Sequence, residues 1–136
     1  MRVCPAAMAF STRCPATPET RYERGLAVLD QVGGPSGRAV LNGRADIAPD
    51  LGRYLIEFAF ADAYSRPGLG LAERELATIA VCTTLGTAGP QLRVRLHGFL
   101  NVGGTREAII QRGGYAGFPA ALNAVGAARE VFAARE

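Results

Sequence analysis

Apolar residues recur along this chain at helical rather than strand spacing. In "RYERGLAVLDQVGG", Tyr22, Leu26 and Leu29 fall on one side of a helix, and the Gly33-Gly34 pair stops it. Pro49 and Asp50 suit the first turn of the next helix, proline for its fixed φ and aspartate for the positive end of the helix dipole. Leu51, Tyr54, Leu55 and Phe58 then follow at i, i+3, i+4 and i+7, a stripe expected in a core or an interface. "SRPGLG" ends that helix, because Pro67 cannot continue it and Gly68 and Gly70 turn the chain.

"LAERELATIAVCTTLG" predicts the most apolar, central helix, with Glu73, Arg74 and Glu75 confined to its beginning. "PQLRVRLHGFLNVGG" predicts another, opened by Pro90 and closed by Gly103. Leu92, Leu96, Phe99 and Leu100 form its inner face. Arg93, His97 and Asn101 form a polar stripe along the flank, since residues four apart stack on a helix. Thr105 is placed to cap a short helix that Gly113-Gly114 cuts off. A last helix begins near Pro119 and is expected to carry Leu122, Val125 and Phe132 inward. No alternating, β-branched run is long enough for a strand. The predicted fold class is therefore all-α, a bundle of five or six helices. Residues 1–20 contain three prolines and no periodicity. They read as a flexible tail and a poor signal peptide, leaving 21–136 as one domain.

Composition narrows the function classes. At 136 residues and 49% hydrophobic, the chain can bury one core, yet no stretch approaches the roughly 18 apolar residues of a membrane span. A soluble, cytoplasmic protein with no membrane partner is expected. The formal charge is +3, and all 15 basic residues are arginine. They are scattered among acidic residues from Arg2 to Arg135, whereas a nucleic-acid binder gathers its positive charge on one face or run. No nucleic-acid partner is expected. Cys4, Cys14 and Cys82 show no C-x-x-C or metal-ligand spacing, and His97 is the single histidine, so no metal site is expected. Cys82 reads as a small core residue.

Four segments carry a resemblance: "RYERGLAVL", "FAFADAYSRPGLGLAERELATIA", "PQLRVRLHGFLNVGGTREAI" and "YAGFPAALNA". In their order and spacing the chain resembles the carboxymuconolactone decarboxylases from about Tyr22 to Phe132. The resemblance implies an AhpD-like helical fold with a helical-hairpin core, assembled as a homo-oligomer, a hexamer or a trimer. It also implies loss of CO2 from 4-carboxymuconolactone without any cofactor, in the breakdown of aromatic compounds. The related AhpD-like branch reduces peroxiredoxin partners through a C-x-x-C-x-x-x-H motif. Here Pro90 and Arg93 stand at the two cysteine positions, which leaves that disulfide chemistry without its thiols. Two departures stand out. Arg95 replaces the first histidine of the "HIHG" that relatives commonly show, and the segment before "YAGFP" is about four residues short, roughly one turn or 6 Å of helix.

The implied reaction sets the residue requirements. CO2 leaves a carbon conjugated to an unsaturated lactone, and the electron pair it leaves behind spreads to the lactone oxygen. The protein must hold carboxylates, stabilise that oxygen and return a proton to carbon. The resemblance makes His97 the candidate for the proton-donor or oxyanion role and Glu75, the glutamate of "REL", the group that orients it. The alternatives are a surface histidine and a first-turn glutamate favoured by the helix dipole. Arg66 and Arg93 are candidates for carboxylate binding, as an arginine fork bonds both oxygens. Tyr115, with Phe118, is a candidate pocket wall. Two other functions compete: an AhpD-like peroxidase or peroxiredoxin-type protein that would rely on Cys82, and a non-catalytic oligomer. The expected partners are a small-molecule substrate and further copies of the chain.

Overall fold

A computed structural model describes residues 20–136, and every regular element among them is helical. The order is α1 (Arg21–Val32), α2 (Gly34–Asn42), α3 (Pro49–Tyr54) continuing as a π-helical stretch (Leu55–Tyr64), α4 (Leu71–Leu85), α5 (Gly89–Asn101), α6 (Arg106–Gly113), a 3₁₀ turn (Gly114–Ala116) and α7 (Phe118–Ala133). The all-α expectation holds, with seven α-helices in place of five or six. The additional one is α2. Its "GPSGRAVLN" lacks an apolar stripe, and it forms with Pro35 in its first turn while packed against α1.

Local chemistry explains the other ends. Glu23 N donates to Thr20 Oγ1 at 3.2 Å and Thr20 N donates to Glu23 Oε2 at 2.8 Å, a reciprocal cap that joins Thr20 to α1. The rest of the expected tail, with Cys4 and Cys14, lies outside the described residues. Gly86 ends α4 in the left-handed conformation at φ 69°. Thr105 caps α6 by accepting from Ala108 N at 3.2 Å, as its position in the sequence indicates. Among the described residues no helix is long and apolar enough to cross a membrane.

Two apolar clusters hold the helices together. The larger one joins the α4–α5 hairpin to α6 and α7 through Ile79, Leu92, Leu96, Phe99, Ile109, Ala128 and Val131, with Cys82 among them. The smaller one joins α1 to the π-helical stretch through Leu29, Val32, Ile56 and Phe60. That second contact is close: a Cβ on Gly25 would run into the backbone carbonyl of Ile56.

The stripe expected in a core or an interface, and the expected inner face of the last helix, both lie largely outside these clusters. Leu51, Tyr54 and Phe58 are exposed, Phe58 at 69%. Leu51 and Tyr54 lie on α3, and i→i+5 bonding widens the turn from Leu55 onward. Ile56, Phe60 and Ala61 take the inner positions, and Leu55 packs only at the margin of the smaller cluster. On α7, Leu122 is 71% exposed and Val125 is also exposed, while Phe132 is partly buried. The inner face of α7 is Ala127, Ala128 and Val131, small side chains that let it approach α5 closely.

Candidate active site

A charged group lies where the two clusters meet. Glu75, in the second turn of α4, is wholly buried, among the most enclosed side chains of the described chain. Burying a carboxylate without partners would cost several kcal/mol, on the order of the stability of a small domain. Two donors meet it on one oxygen. Tyr64, the last residue of the π-helical stretch, donates its hydroxyl to Oε1 at 2.7 Å. Arg95 on α5 donates Nη1 to the same oxygen at 2.9 Å and to Tyr64 Oη at 3.2 Å. Thr78 Oγ1 lies 3.5 Å from the Tyr64 hydroxyl and is itself bonded to the Arg74 carbonyl. The other carboxylate oxygen, Oε2, is buried without a hydrogen-bond partner.

Each part of this arrangement has a local cause. The wide turn of the π-helical stretch brings Tyr64 round to the same side as Phe60, whose ring lies 5.2 Å from its own. Gly98 lets α5 pass against the carboxylate, because a Cβ there would sit 2.8 Å from Glu75 Oε2 and 3.0 Å from Val32 Cγ1. Arg95 reaches inward between Phe60 and Tyr64, its guanidinium carbon 6.0 and 5.9 Å from the two ring centres.

The electrostatics follow the burial. Loss of water raises the Glu75 carboxyl above its usual 4.5, with the Arg95 charge and the hydrogen bonds from Tyr64 and Arg95 pulling the other way. Burial also raises the Tyr64 phenol, and the adjacent Glu75 adds to that rise. The result is a buried carboxyl linked to a phenol beside a guanidinium.

The other candidates lie elsewhere. His97 is two positions from Arg95 and so faces another side of α5. Its neighbour there is Arg135 of the C-terminal end, whose Nη1 is 3.4 Å from the His97 carbonyl oxygen. Partial burial, then the Arg135 charge, lowers its imidazole below 6.5. Among the described residues no hydrogen bond joins His97 to Glu75, whose donors are Tyr64 and Arg95. Arg93 donates Nε to Glu130 of α7 at 2.6 Å, and Asn101 donates to the Val32 carbonyl at 2.8 Å. The polar stripe Arg93–His97–Asn101 thus fastens α5 to its neighbours. Arg66 lies on the exposed turn before α4, where its carbonyl accepts from Arg74 Nη2 at 2.8 Å. Tyr115 stands 89% exposed on the 3₁₀ turn. Cys82 is a buried free thiol, raised above 9.0 chiefly by burial, as its core reading implies. Among the described residues no three His, Cys, Asp or Glu side chains gather as a metal-binding group.

Tyr64 and Arg95 are thus the members of the site that spacing did not single out. Arg95 carried two legible signs, a charge beside the apolar positions of α5 and its place at the first histidine of "HIHG". Tyr64 carried none, because its placement depends on a π-helical register.

Residues 49–130 match the carboxymuconolactone decarboxylase family, a range that includes Tyr64, Glu75 and Arg95. The 4-carboxymuconolactone decarboxylase of Acinetobacter baylyi (strain ATCC 33305 / BD413 / ADP1) is 37% identical over 119 residues, covering 84% of this chain and 88% of that protein.

Proposed function

Since the chain belongs to the carboxymuconolactone decarboxylase family, we propose that it is a carboxy-lyase releasing CO2 from 4-carboxymuconolactone or a closely related small carboxylated lactone, without a cofactor. The observation that carries this reading is the buried Glu75 with Tyr64 and Arg95 gathered on one of its oxygens. In the reaction the bond between the carboxylate carbon and the lactone ring breaks and CO2 departs. Its electron pair passes into the conjugated lactone, where the fixed positive charge of Arg95 stabilises the developing oxyanion. The phenol of Tyr64, hydrogen-bonded to Glu75, then gives its proton to the ring carbon. Solvent restores the proton of Tyr64 after product leaves.

The test is CO2 release from 4-carboxymuconolactone by the purified protein and by Tyr64→Phe and His97→Gln. Tyr64→Phe is expected to lower turnover by about 10²–10⁴-fold. A loss confined to His97→Gln would move the proton donor to the α7-facing side of α5. No release by the wild-type chain would refute the decarboxylase reading. The thiol-dependent alternative has less support: the Cys82 thiol is buried and raised, the opposite of a reactive thiolate.

The chain is also proposed to act as a homo-oligomer, a hexamer or a trimer. The exposed apolar side chains of Leu51, Tyr54 and Phe58 on one helix, and of Tyr115, Phe118 and Leu122 around the start of α7, support that assembly.

A further inference from the structure

Three arginines in this protein bond through one shared edge of the guanidinium, Nε with Nη2. Arg38 grips Asp30 with Nε at 2.7 Å and Nη2 at 2.6 Å, one donor for each carboxylate oxygen. Arg21 holds Asp62 through the same pair of nitrogens. Arg74 uses that edge on two backbone carbonyls, of Leu69 at 3.1 Å and Arg66 at 2.8 Å. Arg95 bonds through Nη1, as Arg44, Arg106 and Arg135 do, but those three are exposed and Arg95 is partly buried. Its contacts with Glu75 and Tyr64 are both made by Nη1, and its Nε–Nη2 edge has no hydrogen-bond partner among the described residues. The side chain is 23% exposed, so this edge belongs to a guanidinium that is anchored from within and only partly open to water.

An anchored arginine with its flat two-donor edge unused is prepared for a planar anion with two oxygens. The local charge favours one. The Arg74 guanidinium also stands over the Tyr64 ring, 5.9 Å from its centre, so two positive groups oppose the single carboxylate of Glu75. A tetrahedral phosphate would leave its remaining oxygens without donors from this edge, whereas a carboxylate matches it with both. We infer that Arg95 is the residue that binds substrate here, its Nε–Nη2 edge gripping a carboxylate of a small, flat, unsaturated acid while Nη1 stays fixed on Glu75 and Tyr64. Arg93 and Arg66 are not needed for that role. Arg95 thereby becomes the substrate-holding group of the site in the proposed function, and the site's purpose rests on that reading, but binding does not require turnover.

Muconate, an unsaturated dicarboxylate with no lactone to decarboxylate, is the probe, with its neutral dimethyl ester as the control. In the full-length wild-type protein, the arginine Nε–H resonance assigned to Arg95 should shift saturably with muconate and stay still with the ester. Arg95→Lys, checked for folding by its melting transition, should weaken muconate binding about tenfold or more, because an ammonium cannot reproduce the two-point grip. Three results would overturn the inference: an unmoved Arg95 resonance at saturation, no saturable binding up to about 10 mM, or equal affinity in folded Arg95→Lys. The wild-type resonance tests the grip even if that variant does not fold. Muconate held at Arg95 without CO2 release from 4-carboxymuconolactone would keep this site and remove the decarboxylase reading. CO2 release with muconate bound away from Arg95 would do the reverse.

Discussion

Glu75→Gln isolates the charge of the buried carboxyl from its shape. The amide oxygen can occupy the position of Oε1 and still accept from Tyr64 and Arg95, now as a neutral acceptor. That change weakens two charge-assisted contacts at 2.7 and 2.9 Å, by about 1 kcal/mol or somewhat more in total. At the other end, an NH2 without an acceptor replaces Oε2, which is itself unpaired, so one orphaned group is exchanged for another. Relief from burying a charge offsets part of the loss. The net expectation is a destabilisation of about 1–2 kcal/mol, or roughly 3–8 °C in Tm for a chain of this size. Glu75→Ala removes both hydrogen bonds and leaves a hole beside Arg95, and should cost about 3–5 kcal/mol. The pH dependence has a definite sign. Glu75 is raised above 4.5 in the folded chain, so the unfolded chain releases this proton first as pH increases. Its contribution is complete below 4.5 and fades as pH rises through the higher folded value. Glutamine does not titrate. Thermal melts between about pH 5 and pH 8 should therefore show the gap between wild type and Glu75→Gln narrowing as pH increases. A gap that widens would mean that the ion pair with Arg95 outweighs burial, and Glu75→Ala no worse than Glu75→Gln would remove the hydrogen-bond argument.

Gly98→Ala would put a Cβ 2.8 Å from Glu75 Oε2 and 3.0 Å from Val32 Cγ1, lowering stability by about 1–3 kcal/mol. In a Glu75→Ala background that penalty should shrink, and strict additivity in denaturant melts would show that the two positions do not meet. His97 should titrate below 6.5 by NMR, and Arg135→Gln should move its midpoint part of the way back; a wild-type midpoint at or above 6.5 would contradict the observed burial and charge. Phe58→Asp and Leu122→Asp place a charge on exposed apolar faces and should leave the monomer folded. Light scattering after size exclusion should show smaller assemblies for at least one of them, and an unchanged mass for both would remove these faces from the proposed interface.

Local rules determined much of this protein from sequence alone. Residues near in the chain decide helix ends, so Thr105 as a cap, Pro49 and Pro90 in first turns and the break at Gly33-Gly34 could all be read directly. The inner face of α5 was equally legible, because an α-helix keeps one period along its length and Leu92, Leu96 and Phe99 obey it. Segments in register with a known family identified the chain's relatives, and "REL" singled out Glu75. Tertiary structure decided what the period could not. The π-helical register set Ile56 and Phe60 inward and brought Tyr64 to Glu75, and small residues on α7 set its packing face while leaving Leu122 outside. It also gave Glu75 to Tyr64 and Arg95 rather than His97. A buried carboxylate takes whichever donors the packed helices bring within about 3 Å, and that distance depends on helix register and on a missing Cβ at Gly98, neither of which spacing along the chain records.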